Sequence, residues 1–506
     1  MEKYLIAHDL GTSGNKATLF SVDGKMKKCV TASYPVLYSD GNRAEQDPED
    51  WWQAICSATK RLLDDIDPKE VTAISFSGQM MGCVCVDKDG NALRNAIIWA
   101  DTRSDKQEQD LAANIAPERL YRLAGHKLSS SYSLEKLMWV RDNEPLVFEK
   151  TYKLLQSKDY LVCRMTGEFM TDYSDGSGTN ALDLNTLTWS DEILSAADID
   201  KSLFPELFPS TTVVGTVSKA VSAECGLAEG TKIVLGGGDG SCASVGAGSV
   251  SEGITYSCVG SSSWISTVSK APYFDDKMRT VTWAHVIPGL LIPSGTMQTA
   301  AVAFEWGINH FCQAEMQVAA KNKDNSLYDV INRNIATSKA GSNALIFLPY
   351  LLGERCPRWN SNACASFIGL KNDHSTSDMM RSIVEGIAMN LDIIIGILRN
   401  AVDIKEILIV GGMAQGEIVQ QILADVFEMD IVRLKHLGEA TAIGAAVIAG
   451  IGAGELSGFS DYEKFNQIQT RKQPICENFE IYRNLKELFE LSYQSQLPLY
   501  EKLAKL

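Results

Sequence analysis

The sequence predicts an α/β protein of two domains, with mixed sheets and a cleft shared between the halves. Three observations carry this expectation. At 506 residues the chain exceeds the roughly 250–300 residues that one hydrophobic core organises. Strand-like and helix-like runs alternate along it with hairpins among them, as mixed sheets require. A strand, a Gly/Ser-rich tip and a returning strand occur near the N-terminus and again from Thr255 to Thr267, about 250 residues apart, which suggests a duplicated unit.

Composition narrows the class. A hydrophobic share of 45% and a charged share of 22% are those of a soluble globular protein. The net charge of −16 argues against nucleic acid or an anionic membrane surface as the main partner. A phosphate site would have to rely on backbone N–H groups, a metal ion or a few local cations. The opening Met1–Glu2–Lys3–Tyr4–Leu5–Ile6 reads as the start of a strand and not as a signal peptide. No apolar run approaches the ~20 residues that span a bilayer. The twelve cysteines are scattered without a Cys-x-x-Cys pair, and Cys83 and Cys85 would share one strand face, a poor geometry for a bridge. A cytoplasmic protein with reduced thiols is expected.

The first strand, from Tyr4, leads into Asp9–Leu10–Gly11–Thr12–Ser13–Gly14–Asn15–Lys16, and a second strand, Ala17–Val22, returns to a turn at Asp23–Gly24. The tip offers several N–H and hydroxyl donors suited to phosphate oxygens, without the Gly-Lys-Ser/Thr of a P-loop. Asp9, at the strand end, is placed to hold Mg²⁺ directly or through water. A plain tight turn is the alternative. A helix follows with clear start signals: Asp47 as cap, Pro48 in the first turn, and Glu49 and Asp50 at the positive end of the dipole. The strand Val71–Phe76 ends at Ser77–Gly78–Gln79–Met80–Met81–Gly82, a strand-end position where ligands gather in such sheets. A Met pair is more often a packing element than a sugar contact. Cys83–Val86 is expected to pair through the Asp89–Gly90 turn.

Ile97–Ile98–Trp99–Ala100–Asp101–Thr102–Arg103 brings an indole that could stack on a sugar, and two charges that could form a structural ion pair. Residues 111–189 read as mostly helical, with a loop between Asp172 and Asn180. The stretch from Ile193 to Val214 reads as a surface connection. The run Thr231–Val234 then breaks into Leu235–Gly236–Gly237–Gly238–Asp239–Gly240. One carboxylate after three glycines places an acid at a sheet end where a ligand can approach the backbone. By its own spacing, that stretch is equally a Gly-rich turn.

In the second half, Thr255–Val259 and Ser263–Thr267 flank Gly260–Ser261–Ser262. A strand end near Ser294–Thr296 leads into a helix carrying Phe304, Glu305 and Trp306. Asp378–Asn400 reads as a helix with an apolar stripe. Glu406–Val410 meets Gly411–Gly412–Met413–Ala414–Gln415–Gly416 ahead of another helix, a junction that lets a flat ring or a phosphate lie on backbone. Gly438–Ala446 is a small-residue segment built for close helix packing.

In this order, the stretches resemble the FGGY family of carbohydrate kinases, and within it the xylulokinase branch. The resemblance runs over nearly the whole chain. It rests on Asp9–Ser13, Glu45–Pro48 with Trp51–Trp52, Gly78–Met80, Ser133–Trp139, Gly236–Asp239, Gly353–Glu354–Arg355, and Gly369–Leu370 with Asp378–Met379 and Ser382–Glu385. It implies two actin/hexokinase/Hsp70-like (ribonuclease H-like) domains: residues 1–246 with the sugar site and catalytic Asp, and residues 247–506 with the nucleotide site. It implies transfer of the ATP γ-phosphoryl group to a sugar hydroxyl, with Mg²⁺. Asp239 matches the family's base, and Asp9 the residue linked to Mg²⁺ and activity. Thr12, Ser13, Lys16, Gly260 and Ser261 would meet the nucleotide phosphates, and Gly411, Gly412 and Gly416 would border the adenosine. Gln79, Met80, Met81, Trp99, Asp239 and Gly240 would form the sugar side.

Three positions depart from the branch. Met81 stands where a His is usual, Gly240 where an Asn is frequent, and Met413 where the adenosine turn has Gly. A ketopentose such as xylulose is therefore expected alongside other small sugars, polyols or sugar acids (tetrulose, gluconate). The Gln79 region lacks the Asn-Gln-Arg-Glu of glycerol kinases. A non-catalytic sensor on the same fold is the contrasting class, opposed by retention of both Asp9 and Asp239; an actin-like filament former has less support still. Expected partners are a small sugar and ATP, and a homodimer is compatible with the sequence.

Overall fold

The computed structural model describes residues 2–321 and 326–506; Met1, included in the expected opening strand, lies outside them. The first sheet is built from β1 (Tyr4–Leu10), β2 (Gly14–Ser21), β3 (Met26–Ser33), β4 (Val71–Gly78), β5 (Val213–Thr216) and β6 (Lys232–Val234), in spatial order β5-β6-β4-β1-β2-β3. A two-residue β7 (Gly237–Gly238) continues β6 alongside β4. Between them the chain kinks at Gly236, whose φ is +81° and where a Cβ would lie 2.1 Å from the Phe76 carbonyl oxygen. No residue with a side chain fits there.

The second sheet contains β8 (Thr255–Val259), β9 (Ser263–Thr267), β10 (Val281–Ala284), β11 (Leu291–Met297), β12 (Glu406–Val410), β13 (Asp430–Leu434) and β14 (Ile468–Lys472), in order β10-β11-β9-β8-β12-β13-β14. Its centre repeats the first sheet. In each, an antiparallel hairpin (β1–β2, β8–β9) joins a third antiparallel strand on one side and two parallel strands on the other. The duplicated hairpins of the sequence are thus the structural centres of two similar sheets.

Helices pack against the sheets. They include α1 (Pro48–Leu62), α2 (Ser133–Asn143), α3 (Ser157–Thr166) and the single-turn α4 (Tyr173–Ser177) in the first half. Asp47 caps α1 by accepting from the Glu49 amide at 2.9 Å, as expected. After β7 comes α5 (Asp239–Gly246). The second half adds α6 (Ala301–Phe311), α7 (Leu327–Ile335), α8 (Thr376–Leu398), α9 (Glu417–Phe427), α10 (Ala440–Ala453) and α11 (Phe479–Leu503).

Two of these helices lie between the sheets. Cys242 and Val245 of α5 join Leu5, Ala7 and Ile443 in an apolar cluster on the first sheet. Ala243 and Ala247 pack with Tyr256, Leu408 and Val432 of the second. Helix α10 crosses α5 so closely that a Cβ on Gly444 would lie 2.0 Å from the Cys242 carbonyl oxygen, and one on Gly246 would lie 1.9 Å from that of Ala440. The run of small residues in Gly438–Ala446 is what permits this contact, because interiors at crystal-like density leave no slack for a methyl group.

One local expectation is extended and two change. Val84–Val86 turns through Asp89–Gly90 as expected, with the Asp87 amide donating to Asn91 O at 3.0 Å and the Leu93 amide to Cys85 O at 2.9 Å, and it pairs in addition with Lys153–Leu155, a partner the sequence did not indicate. The expected 172–180 loop holds α4, whose first amides are capped by Asp172. The 193–214 connection contains the end of a helix (Asp191–Ala197), a short strand (Glu206–Phe208) and the start of β5, and it buries Ile193, Leu194, Ile199 and Phe204 in the core. All twelve cysteines are free thiols. Among the described residues no helix is long and apolar enough to cross a membrane.

Candidate active site

Asp9 ends β1 opposite Ser77 of β4, and Gly237 lies opposite the same Ser77 on the other side. Asp9 and the start of α5 therefore flank the C-terminal end of one parallel strand, two strand spacings (roughly 10 Å) apart. The Asp239 carboxyl is surrounded by protein on all but its cleft side. Burial, and then the charge of Asp9, push it up to about 7, while the Gly240 amide, donating to its Oδ1 at 2.7 Å, works in the opposite direction. Asp9 is also raised by burial, partly offset by the Thr441 hydroxyl, which donates to its Oδ2 at 2.6 Å. Two carboxylates share the site, and the one at 239 is poised to exchange a proton near neutrality.

The first hairpin tip sits beside Asp9. Its shape is set by the Gly11 amide donating to Gly14 O at 3.0 Å, Tyr34 Oη donating to Gly11 O at 2.6 Å, and Gln46 Nε2 donating to Thr12 O at 2.7 Å. The tip carbonyls are consumed by these bonds. Among the described residues the amides of Thr12 and Ser13 donate to no acceptor, the polarity an anion needs. Lys16 reaches across to the other half, donating to Gly438 O at 2.9 Å and pairing with Glu439 at 3.2 Å.

The second hairpin repeats the arrangement. The Gly260 amide closes the tip on Ser262 O at 3.1 Å, and the amides of Ala300 and Ala301, at the start of α6, donate to the carbonyls of Ser261 and Gly260 at 3.0 and 2.9 Å. The Ser261 amide donates to no acceptor among the described residues. Gly411 adjoins this hairpin, since a Cβ there would lie 2.7 Å from Val259 O. Beyond it a narrow slot of about 190 Å³ opens between Phe304, Glu305, Tyr328, Asn332, Gly412 and Gly416. A wider depression of about 610 Å³, bounded by Phe148–Thr151 and Leu194–Leu203, lies in the helical part of the first half and contains none of the expected site residues.

On the other side of Asp239, the Gln79 amide nitrogen is committed to Gln46 Oε1 at 2.7 Å, which ties this turn to the first hairpin. Met80 packs under the Gly238–Asp239 turn: a Cβ on Gly238 would lie 2.7 Å from its sulfur. Met81 adopts a left-handed conformation with φ of +64°. Its carbonyl accepts from Lys136 Nζ at 2.8 Å, and the same ammonium holds Ser131 O at 2.5 Å. Burial depresses Lys136 to about 7. Trp99 is 36% exposed and donates from its indole to Thr12 Oγ1 at 2.9 Å, which puts it beside the first hairpin. Gly240 faces open space, where a Cβ would meet nothing within 4 Å, and Tyr256 Oη donates to its carbonyl at 3.2 Å. Asp101 and Arg103 are a buried ion pair at 2.6 Å.

The expected residues thus group as a carboxylate pair, two amide-lined tips, a slot and the flank bearing Gln79, Met80, Met81 and Gly240. Thr441, Glu439 and Gln46 were not anticipated. Thr441 is 432 residues from Asp9, and no local pattern marks it. Lys136 lies inside the Ser133–Trp139 segment and could have been singled out as its one cation, next to Glu135.

Family models of the FGGY carbohydrate kinases match in both halves, the N-terminal domain over residues 4–246 and the C-terminal domain over residues 255–453. The chain is 31% identical over 495 residues to a xylulose kinase of Bacillus subtilis, covering 97% of each. It is 28% identical over 491 residues to a gluconokinase of the same species, covering 97% of this chain and 95% of that one. Among solved structures it is similar to a ligand-bound xylulose kinase and a gluconate kinase, both from Lactobacillus acidophilus. The TM-scores are 0.90 and 0.91, each at 28% identity and covering 99% of this chain and 100% of the other.

Proposed function

Because the chain belongs to the FGGY family of carbohydrate kinases, we propose that it transfers the γ-phosphoryl group of ATP to a hydroxyl of a ketopentose such as xylulose, with Asp239 as general base. The observation that supports this best is Asp239 itself. It is a carboxylate held up to about 7 at a strand end, between two tips that present free amides. In the step proposed, the sugar O–H gives its proton to an Asp239 carboxylate oxygen, and the sugar oxygen forms a bond to Pγ. The bond from Pγ to the β,γ-bridging oxygen breaks, and ADP leaves with the electron pair. Such a transfer needs positioning, charge neutralisation and one base more than it needs covalent chemistry.

In this proposal the chain's own residues divide the work. Thr12 and Ser13 on one tip, and Ser261 on the other, offer amides to phosphate oxygens, and Gly260 lets a phosphate approach the second tip without a side chain in the way. Lys16 supplies a cation once phosphates draw it from Glu439. Gly412 and Gly416 edge the slot proposed for adenosine, with Gly411 behind them against Val259. Gln79, Met80, Met81, Trp99 and Gly240 bound the sugar side. In this reading residues 1–246 carry the sugar and the base, and residues 247–506 the nucleotide.

A magnesium ion fits the donor set: two carboxylates face the cleft with mutual repulsion, and Mg²⁺ takes one or two carboxylates beside phosphate oxygens and waters. Asp9 would hold it, directly or through water, and its charge would neutralise the phosphates. Closure of the halves would exclude competing water.

A second reading keeps the reaction and changes the acceptor to a sugar acid or another small polyol. It is favoured by Met81, whose thioether makes no strong hydrogen bond, and by the open space at Gly240. An ADP-release assay over pentuloses, tetruloses, polyols and aldonates separates the two. Fastest turnover with D-xylulose supports the first reading and with an aldonate the second; no sugar-dependent turnover would reject both.

A further inference from the structure

Beneath the catalytic turn lies an ionic cluster that the reaction does not use. The first turn of α3 is closed to solvent, and the ammonium of Lys158 is fully buried among three buried carboxylates. It lies 2.5 Å from Asp159 Oδ1, 3.0 Å from Asp172 Oδ1 and 3.1 Å from Asp175 Oδ2. Burying four ionisable groups is costly, and apolar residues of the same volume often serve stability as well or better. What distinguishes this cluster is what it touches.

It has two arms. On one, Ser157 Oγ donates to the carbonyl of Gln79 at 3.0 Å. Strand β4 approaches so closely that a Cβ on Gly78 would lie 2.9 Å from Ser157 Oγ and 3.1 Å from Lys158 Cβ. On the other, Asp172 Oδ2 accepts from the amide and hydroxyl of Ser174 at 2.9 and 2.5 Å. Ser174 Oγ in turn accepts from the amide of Gly238 at 2.9 Å. Gly238 immediately precedes Asp239, and Gln79 opens the turn that carries Met80 and Met81. The two strand ends that must be in register for a sugar hydroxyl to meet the base are therefore fastened to one cluster.

We propose that Lys158, Asp159, Asp172 and Asp175 form a positioning device, with Ser174 as the arm that sets Asp239 and Ser157 as the arm that sets the Gln79–Met81 turn. The assignment of the arms to base and sugar rests on the proposed role of Asp239 as the base. A displacement of about 1 Å in a reacting group can cost on the order of 100-fold in rate, so a rigid buried anchor has a purpose here beyond stability.

The arms are separable by experiment. Ser157→Ala, Ser174→Ala, Ser210→Ala and Asp239→Asn are compared with the parent by steady-state kinetics on the best sugar of the panel, and by amide hydrogen exchange without ligands. Ser210 Oγ donates to the same Asp172 oxygen at 2.7 Å and reports the generic effect of losing such a bond. Ser174→Ala is expected to lower kcat at least tenfold with sugar KM within twofold, and to speed exchange in the peptide containing Gly238. Ser157→Ala is expected to raise sugar KM several-fold with kcat within twofold, and to speed exchange in the peptide containing Gln79–Met81. Lys158→Met, if it folds, should loosen both peptides together. The proposal is overturned if the two serine variants change kcat and KM in parallel and resemble Ser210→Ala, or if each loosens both peptides or neither. An Asp239→Asn variant with parental kcat would instead reject the base assignment. The exchange measurement decides the positioning claim even where no sugar is turned over.

Discussion

Replacing Asp239 with Asn should remove catalysis and stabilise the unliganded protein, and both effects follow from one feature. The span from the ordinary aspartate value of 3.8 to about 7 corresponds to roughly 4 kcal/mol for a fully shielded group. Because one side of Asp239 faces the cleft, solvent screening reduces that to about 1–2 kcal/mol. The folded state holds the proton more tightly than the unfolded chain. Stability from this group is therefore fully present below about pH 4 and is lost as pH rises through about 7. Asp239→Asn carries no such loss. Its advantage over the parent should be small at pH 4 and near its full value at pH 8. Urea titration of the two proteins at those pH values reads the difference as a shift in midpoint. In the kinetic assay, kcat should fall by about 10²–10⁴-fold, the usual contribution of a general base. The acid limb of the parental kcat/KM profile, expected near pH 7, should vanish with it. Equal midpoints for parent and variant at pH 8, or a variant that retains an acid limb at parental rate, would refute the reasoning.

Other substitutions test the surrounding parts. Thr441→Ala removes a hydrogen bond to a carboxylate, worth about 1.5–3 kcal/mol. It also raises Asp9 further, so the Mg²⁺ concentration needed for half-maximal activity should increase, and more at pH 6 than at pH 8. Gly240→Asn meets nothing within 4 Å; it should fold with stability within about 1 kcal/mol of the parent and change sugar KM several-fold in the substrate panel. Gly411→Ala forces a methyl group into a φ of +95° and to 2.7 Å from Val259 O. A cost of about 1–3 kcal/mol and weakened ATP binding, measured by calorimetry, are expected. Gly444→Val should prevent soluble expression or lower the melting temperature sharply, because α10 cannot then close on α5.

What the sequence determined by itself is the set of local devices. A β-branched run that breaks into glycines and an aspartate has few conformations open to it. So Asp239 could be placed at a strand end, and the Gly/Ser tips between strands at Thr12–Ser13 and Gly260–Ser262, from spacing and side-chain chemistry alone. Their recurrence in order also made the duplicated sheet legible. The failures occurred where the outcome depends on distant packing. Val84–Val86 takes Lys153–Leu155 as a second partner beside its own Asp89–Gly90 turn, and the 193–214 segment is drawn into a core whose other members lie elsewhere in the sequence.

Only the tertiary structure decided that Thr441 meets Asp9, that Lys16 pairs with Glu439, and that Lys158 gathers three carboxylates under the Asp239 turn. These contacts arise when two sheets close on a pair of small-residue helices, α5 and α10. Electrostatic and hydrogen-bond energies depend on distances of a few ångströms, and no spacing along the chain encodes those. That is why the residue at 239 was readable as an acid from its neighbours, while its proton affinity became readable only once the fold had buried it and set Asp9 on the other side of β4.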